Sequence, residues 1–209
     1  MSNTVRVIGI DPSLKNFGIV VADVNLDDPD LSFSVVSMNL IKSEENKATK
    51  KVVRKNSDDL RRAKSLHDGL KEACKGASFA ICEVPVGSQS ARAMASYGIC
   101  IGVLSSCPLP LIQVTPTEVK LAGTGIKTAT KGEMIEAAMN AHPEAKWPMR
   151  KIKGVLEPLS SNEHLADATF AIKAGLDTDE FKSAIQMLKQ LKNAQLNSLY
   201  TIKIDNSLK

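Results

Sequence analysis

The 209-residue chain can bury the core of one domain with decorations, and its 27 basic against 23 acidic residues leave a net charge of +4, which hints at a polyanionic partner without establishing one. Four cysteines (Cys74, Cys82, Cys100 and Cys107) lack C-x-x-C spacing and read as reduced core residues, not as zinc ligands or disulfides. No apolar run approaches a membrane span and the first strand begins by Val5, so the reading is of a soluble, cytoplasmic protein without a signal peptide.

In chain order, Val5-Arg6-Val7-Ile8-Gly9-Ile10-Asp11-Pro12-Ser13, running into Phe17-Gly18-Ile19-Val20-Val21, reads as two neighbouring strands joined by a tight polar turn. Asp11 either starts an Asx-type turn before Pro12 or is a carboxylate at the edge of a core, where its charge needs donors or a cation. Asn25 to Asp30 is an acidic turn, and Leu31 to Ile41 is a third strand completing an antiparallel meander. The insertion from Lys42 to Lys55, with Lys47, Lys50, Lys51 and Arg54, is a solvated loop or a phosphate-contacting arm. Ser57 is the expected N-cap of a helix through Lys75, with Leu60, Leu66 and Leu70 on its apolar side and Arg61, Arg62 and Lys64 more exposed.

Ala77 to Val84 is a nearly continuous apolar run, as expected of a strand buried on both faces, and it closes on a second carboxylate, Glu83. A helix from about Ser88 to Ser106 carries a small-residue face (Ala91, Ala93, Ala95, Gly98, Gly102) that packs either on its own sheet or on another subunit. Leu109 to Val114 is a further buried strand. Thr115-Pro116 opens a short helix through Leu121, Gly123-Thr124-Gly125 breaks it, and another helix spans Lys131 to Ala141.

His142 to Leu159, with three prolines and Lys146, Arg150, Lys151 and Lys153, reads as an irregular excursion, either a surface loop or a DNA-facing flap. A helix from Ser160 to about Ala174 follows, with Ser160 and Glu163 at capping-box spacing. His164 and Asp167, three apart, share one face of it, and Ala166, Ala168 and Ala171 let it lie close to a sheet. Asp179 to Leu199 is amphipathic, and Tyr200 to Ile204 is an edge strand or tail.

Three carboxylates and an imidazole brought to one sheet end from separate elements do not stay charged together without divalent cations. Oxygen donors of this kind suit magnesium or manganese, and two such ions suit in-line attack on a phosphodiester.

The order β-β-β-α-β-α-β-α-α resembles the ribonuclease H-like fold. The motifs resemble the RuvC family of Holliday junction resolvases: Ile-Gly-Ile-Asp11-Pro-Ser with Gly18, Ala-Ile-Cys-Glu83, Val119-Lys120 with Lys131, and His164-Leu-Ala-Asp167-Ala. The resemblance covers most of Val5 to Gly175. It implies an α/β nuclease domain over 1–175, with a central mixed five-stranded sheet flanked by helices; the C-terminal helical extension over 176–209 is read from the residues and exceeds a compact member. It also implies a homodimer nicking opposed strands of a four-way junction symmetrically, with two Mg2+ per site and Mn2+ able to substitute. Asp11, Glu83, His164 and Asp167 would be the metal ligands and, with Lys131, the catalytic set. Lys120 and Lys131 would lie beside the scissile phosphate. Apart from the resemblance, Lys50, Lys51 and Arg54 of the basic insertion and Arg61 of the helix after it are the expected DNA contacts.

The chain departs from the pattern in three ways: His164 stands where many members have Asp, the aromatic often found after the second carboxylate has no counterpart in Val84-Pro85-Val86-Gly87, and the 42–55 and 142–159 segments exceed a compact member. A virus-encoded member acting on other branched DNA would use such insertions. A nuclease of the same fold acting on other branched DNA or RNA, and a non-catalytic junction-binding protein, are the alternatives.

Overall fold

The computed structural model describes residues 3–45, 55–84 and 87–191. Two compact units divide the chain, Met1–Gly175 and Leu176–Lys209. In the first, strands β1 (Thr4–Asp11), β2 (Asn16–Asn25), β3 (Phe33–Lys42), β4 (Phe79–Glu83) and β5 (Leu111–Val114) form one sheet in the order β3-β2-β1-β4-β5. β1 pairs antiparallel with β2 and parallel with β4, so the sheet is mixed, with β1 at its centre. Helices α1 (Lys55–Ala73), α2 (Ala91–Ser105), α3 (Pro116–Thr124), α4 (Lys131–Ala141) and α5 (Asn162–Leu176) flank it. The central strands are apolar on both faces, and Ile8, Ile10, Phe17, Ile19, Leu66, Leu70 and Ala80 share one buried cluster. In the second unit the described chain is helical over 179–191 (α6). The remainder of the expected 179–199 helix and Tyr200 to Ile204 lie outside the described residues.

Several local features differ from the expectation. Helix α1 begins by Lys55, which puts Ser57 inside it, and it stops at Ala73. Leu60 is 72% exposed while Arg62 is only 5% exposed, the reverse of what was expected. A buried guanidinium persists only where its donors are answered. Arg62 Nε donates to the Ser43 carbonyl at 2.8 Å, and Nη1 lies 3.6 Å from Asp59, which Arg92 of α2 also grips bidentately at 2.5 and 2.7 Å.

Gly123 does not break α3, which runs to Thr124 and ends where Gly125 turns left-handed at φ 73°. A Cβ on Gly123 would stand 2.5 Å from the Phe170 ring, so that glycine serves close packing on α5. Finally, the 142–159 excursion contains a regular β-hairpin, β6 (Met149–Ile152) with β7 (Val155–Pro158). Its two-residue turn, Lys153-Gly154, has φ 46° and 90°, the positive pair that a tight hairpin requires.

Candidate active site

The site stands at one edge of the sheet because two parallel neighbours, β1 and β4, both end in a carboxylate there, Asp11 and Glu83. Helix α5 brings His164 and Asp167 to the same place. It can approach because Gly9 and Gly18 have no side chains. A Cβ on Gly9 would come within 2.0 Å of the Ala168 carbonyl oxygen, and one on Gly18 within 2.3 Å of that of His164. Gly18 is also the register partner of Asp11, so the glycine that admits the helix sits directly across from the acid the helix reaches.

His164 Nδ1 lies 2.5 Å from Asp11 Oδ2, while its Nε2 lies 3.3 Å from Asn16 Nδ2 and 3.5 Å from Glu163 Oε1. Burial pulls the imidazole's pKa down, but the hydrogen bond to Asp11 and the charges of Asp11, Glu163 and Asp167 outweigh it and leave it raised.

Glu83 is held up to about 7 by burial first, then by the charges of Asp11 and Asp167. Asp167 is likewise held at about 7, by burial, then Asp11 and Glu163. Lys120 on α3 is near enough to offset both in part. Lys131, at the start of α4, pairs with Glu163 at 2.6 Å, and that bond raises its ammonium. Glu163 therefore does not cap α5 with Ser160; its carboxylate is turned to a partner from another element, which no local spacing reveals.

The donor set suits a hard divalent cation, since clustered oxygens kept partly protonated by burial and then by mutual repulsion gain most from added positive charge. As the side chains stand, no three His, Cys, Asp or Glu groups among the described residues converge on one ion, and one oxygen of Asp11 is turned to His164 instead.

Of the expected DNA contacts, Lys50, Lys51 and Arg54 lie outside the described residues. Arg61 is exposed but its guanidinium is engaged by Asp58 at 2.7 Å and by the Glu44 carbonyl at 2.8 Å. Asn16, which the sequence reading passed over, is the one further polar side chain seen against His164; its place at the start of β2, beside the turn after Asp11, was the available signal.

These raised carboxyls carry a stability consequence. Their ordinary values are 4.5 and 3.8, so the folded state holds protons that the unfolded chain releases. Their stabilising contribution is full below those values and is lost as pH rises through about 7. Raised His164 acts in the same direction. Chelator-treated protein is expected to melt at falling temperature from about pH 5 to about pH 8, with Mg2+ reversing the fall. A flat melting profile across that range would show that the acids do not share one field.

A five-stranded mixed sheet in this order, with acids at the ends of β1 and β4 and on the last helix of the unit, is the ribonuclease H-like α/β fold. Among solved structures, the chain is similar to Thermus thermophilus RuvC in complex with a Holliday junction substrate, at 19% identity over 86% of this chain and 96% of that one, with a TM-score of 0.58. It is also similar to the yeast mitochondrial Holliday junction resolvase Ydc2, at 15% identity over 90% of this chain and 86% of that one, with a TM-score of 0.52. No protein-family model and no curated protein sequence matches the chain.

Proposed function

We propose that the protein is a metal-dependent endodeoxyribonuclease that resolves four-way DNA junctions by paired symmetric nicks. The observation that supports this reading most is the contact of His164 with Asp11 at the sheet edge, where Glu83 and Asp167 feel the charge of Asp11 and of Lys120, on a fold similar to that of RuvC. Asp11, Glu83, His164 and Asp167 would hold two Mg2+ ions, with Mn2+ able to substitute, and the metal would supply activation of water and stabilisation of charge at the phosphate. As a ligand His164 would act as the neutral imidazole through Nε2, with its Nδ1–H still donating to Asp11 Oδ2. Glu163 holds Lys131 at the rim, where the ammonium can take a phosphate oxygen, and Lys120 does the same from α3.

A two-fold substrate asks for a two-fold protein, and α2 offers the surface. Its buried residues, Cys100, Val103 and Leu104, face the core, while Met94, Ile101 and the open backbone at Gly98 and Gly102 face away. A groove of about 710 Å3, lined by Leu60, Ala63, Ala95, Ile99 and Gly102, runs between α1 and α2. A second copy of the chain would cover it.

The non-catalytic alternative is disfavoured because clustered acids repel the phosphates that a binding surface must attract. The test is cleavage in Mg2+ of a four-way junction, a fork, a duplex and an RNA hairpin, with the protein's mass read by light scattering. Symmetric nicks confined to the junction, from a particle of twice the chain's mass, are expected. Preferential cutting of the RNA hairpin or the fork would favour the related-nuclease reading, and cutting of none would leave a binding protein.

A further inference from the structure

The β6–β7 hairpin packs unlike the rest of the first unit. All of β7 is exposed, and of β6 only Ile152 is partly covered. Val155 is 62% and Leu156 65% exposed, on opposite faces, because successive strand residues alternate. A two-stranded hairpin with apolar side chains open on both faces has no core of its own and is marginal in water. Its stem is nevertheless fixed. The buried Asn162, first residue of α5, donates from Nδ2 to the Pro148 carbonyl at 2.9 Å, and the Leu159 amide donates to the same oxygen at 3.2 Å. Glu163 and His164 of the acidic edge follow at once. The turn at Lys153-Gly154 therefore stands about 10 Å of strand beyond a stem tied to the catalytic helix.

Its charge identifies the occupant. Within the hairpin Arg150, Lys151 and Lys153 stand beside a single acid, Glu157, which is itself the cross-strand partner of Arg150. Exposed cations interleaved with exposed aliphatic side chains suit a surface that is anionic outside and apolar inside. Nucleic acid with open base steps has that character, and aliphatic wedges are the usual means of entering it.

We infer that the hairpin is a wedge that enters the branch point of the bound four-way junction, with Val155 and Leu156 against base faces and Arg150, Lys151 and Lys153 on the flanking phosphates. The inference rests on the junction-resolving reading. It adds a base-contacting element outside the acidic site.

The test uses the full chain without metal and a four-way junction carrying 2-aminopurine at the branch point, beside a duplex of the same arms. The unaltered protein is expected to raise the 2-aminopurine fluorescence on binding. Val155→Thr with Leu156→Thr, which keeps strand preference, should lose that rise and about tenfold in junction affinity, with duplex affinity and melting temperature unchanged. Arg150→Ala, Lys151→Ala and Lys153→Ala together should weaken binding to both DNAs and lower the salt slope by about 3. If the double variant opens the branch point and binds as the unaltered protein does, the hairpin is no wedge while the resolvase reading stands. If the unaltered protein shows no preference for the junction over the duplex, both readings fall.

Discussion

Asp167→Asn is expected to lower junction cleavage on the order of 10³-fold while leaving junction binding in place. Asp167 sits on the helix face turned to the sheet edge, and its carboxyl is held at about 7 by burial and by its acidic neighbours. The amide has nearly the same shape but no charge, so it removes a ligand oxygen and a source of repulsion at once. Without metal, the variant should therefore be more stable than the unaltered protein at pH 8, by on the order of 2 kcal/mol once solvent screening is allowed for. That pairing of lost turnover with gained stability separates a functional acid from a structural one, whose amidation costs stability. Glu83→Gln should behave alike. Asp11→Asn should lose cleavage without the gain, because it also removes the charged partner of His164. Single-turnover cleavage in saturating Mg2+ and melting in chelator decide the matter; near-normal turnover of any of the three would remove that residue from the proposed site.

The second large effect concerns a residue with no side chain. Gly18→Ala would place a methyl 2.3 Å from the His164 carbonyl oxygen and 2.8 Å from its carbon, both backbone atoms that cannot rotate away. The N-terminal turn of α5 must then lift off β2, taking His164 from Asp11. Overpacking of this kind costs about 1–3 kcal/mol, and a shift near 1 Å at a reacting centre costs about 10²-fold in rate. Gly132→Ala on α4, where an added Cβ meets nothing, is the matched control and should change neither. Should Gly18→Ala melt and cleave like the control, α5 is not seated as described.

How much of this was legible follows from where each signal lies. Asp11 and Glu83 are visible because each closes an apolar run, and the strand carrying a residue fixes which end of the sheet it occupies. Gly18 and the alanines of α5 are visible because close helix approach needs small residues on both sides. Thr115 and Thr130 announce their helices because a capping box is local, with the reciprocal Glu three residues on. The same spacing misleads at Ser160, since Glu163 has a stronger partner in Lys131, 32 residues away in sequence and 2.6 Å away in space. Arg62 and Leu60 exchange their expected places for a similar reason: the ion pairs that make burial of Arg62 tolerable come partly from Arg92 on another helix, through Asp59. The hairpin was hidden because Arg150, Lys151 and Glu157 fill strand positions with charge, and the alternation that marks a half-buried strand is absent when neither face is buried.

The seating of α5 also sets an order of assembly. β1, β2 and β3 join through short turns, so the meander carrying Asp11 can form from the first fifth of the chain. His164 meets Asp11 across 153 residues, and this closure pays the loop entropy of nearly the whole first unit. During synthesis, a chain that has not yet reached Asp167 holds at most two of the three acids and no helix to cover Gly9 and Gly18. If the protein cuts DNA as proposed, a growing polypeptide would hold Asp11 and Glu83 without activity, and the capacity to cut would arrive late, when the last helix docks.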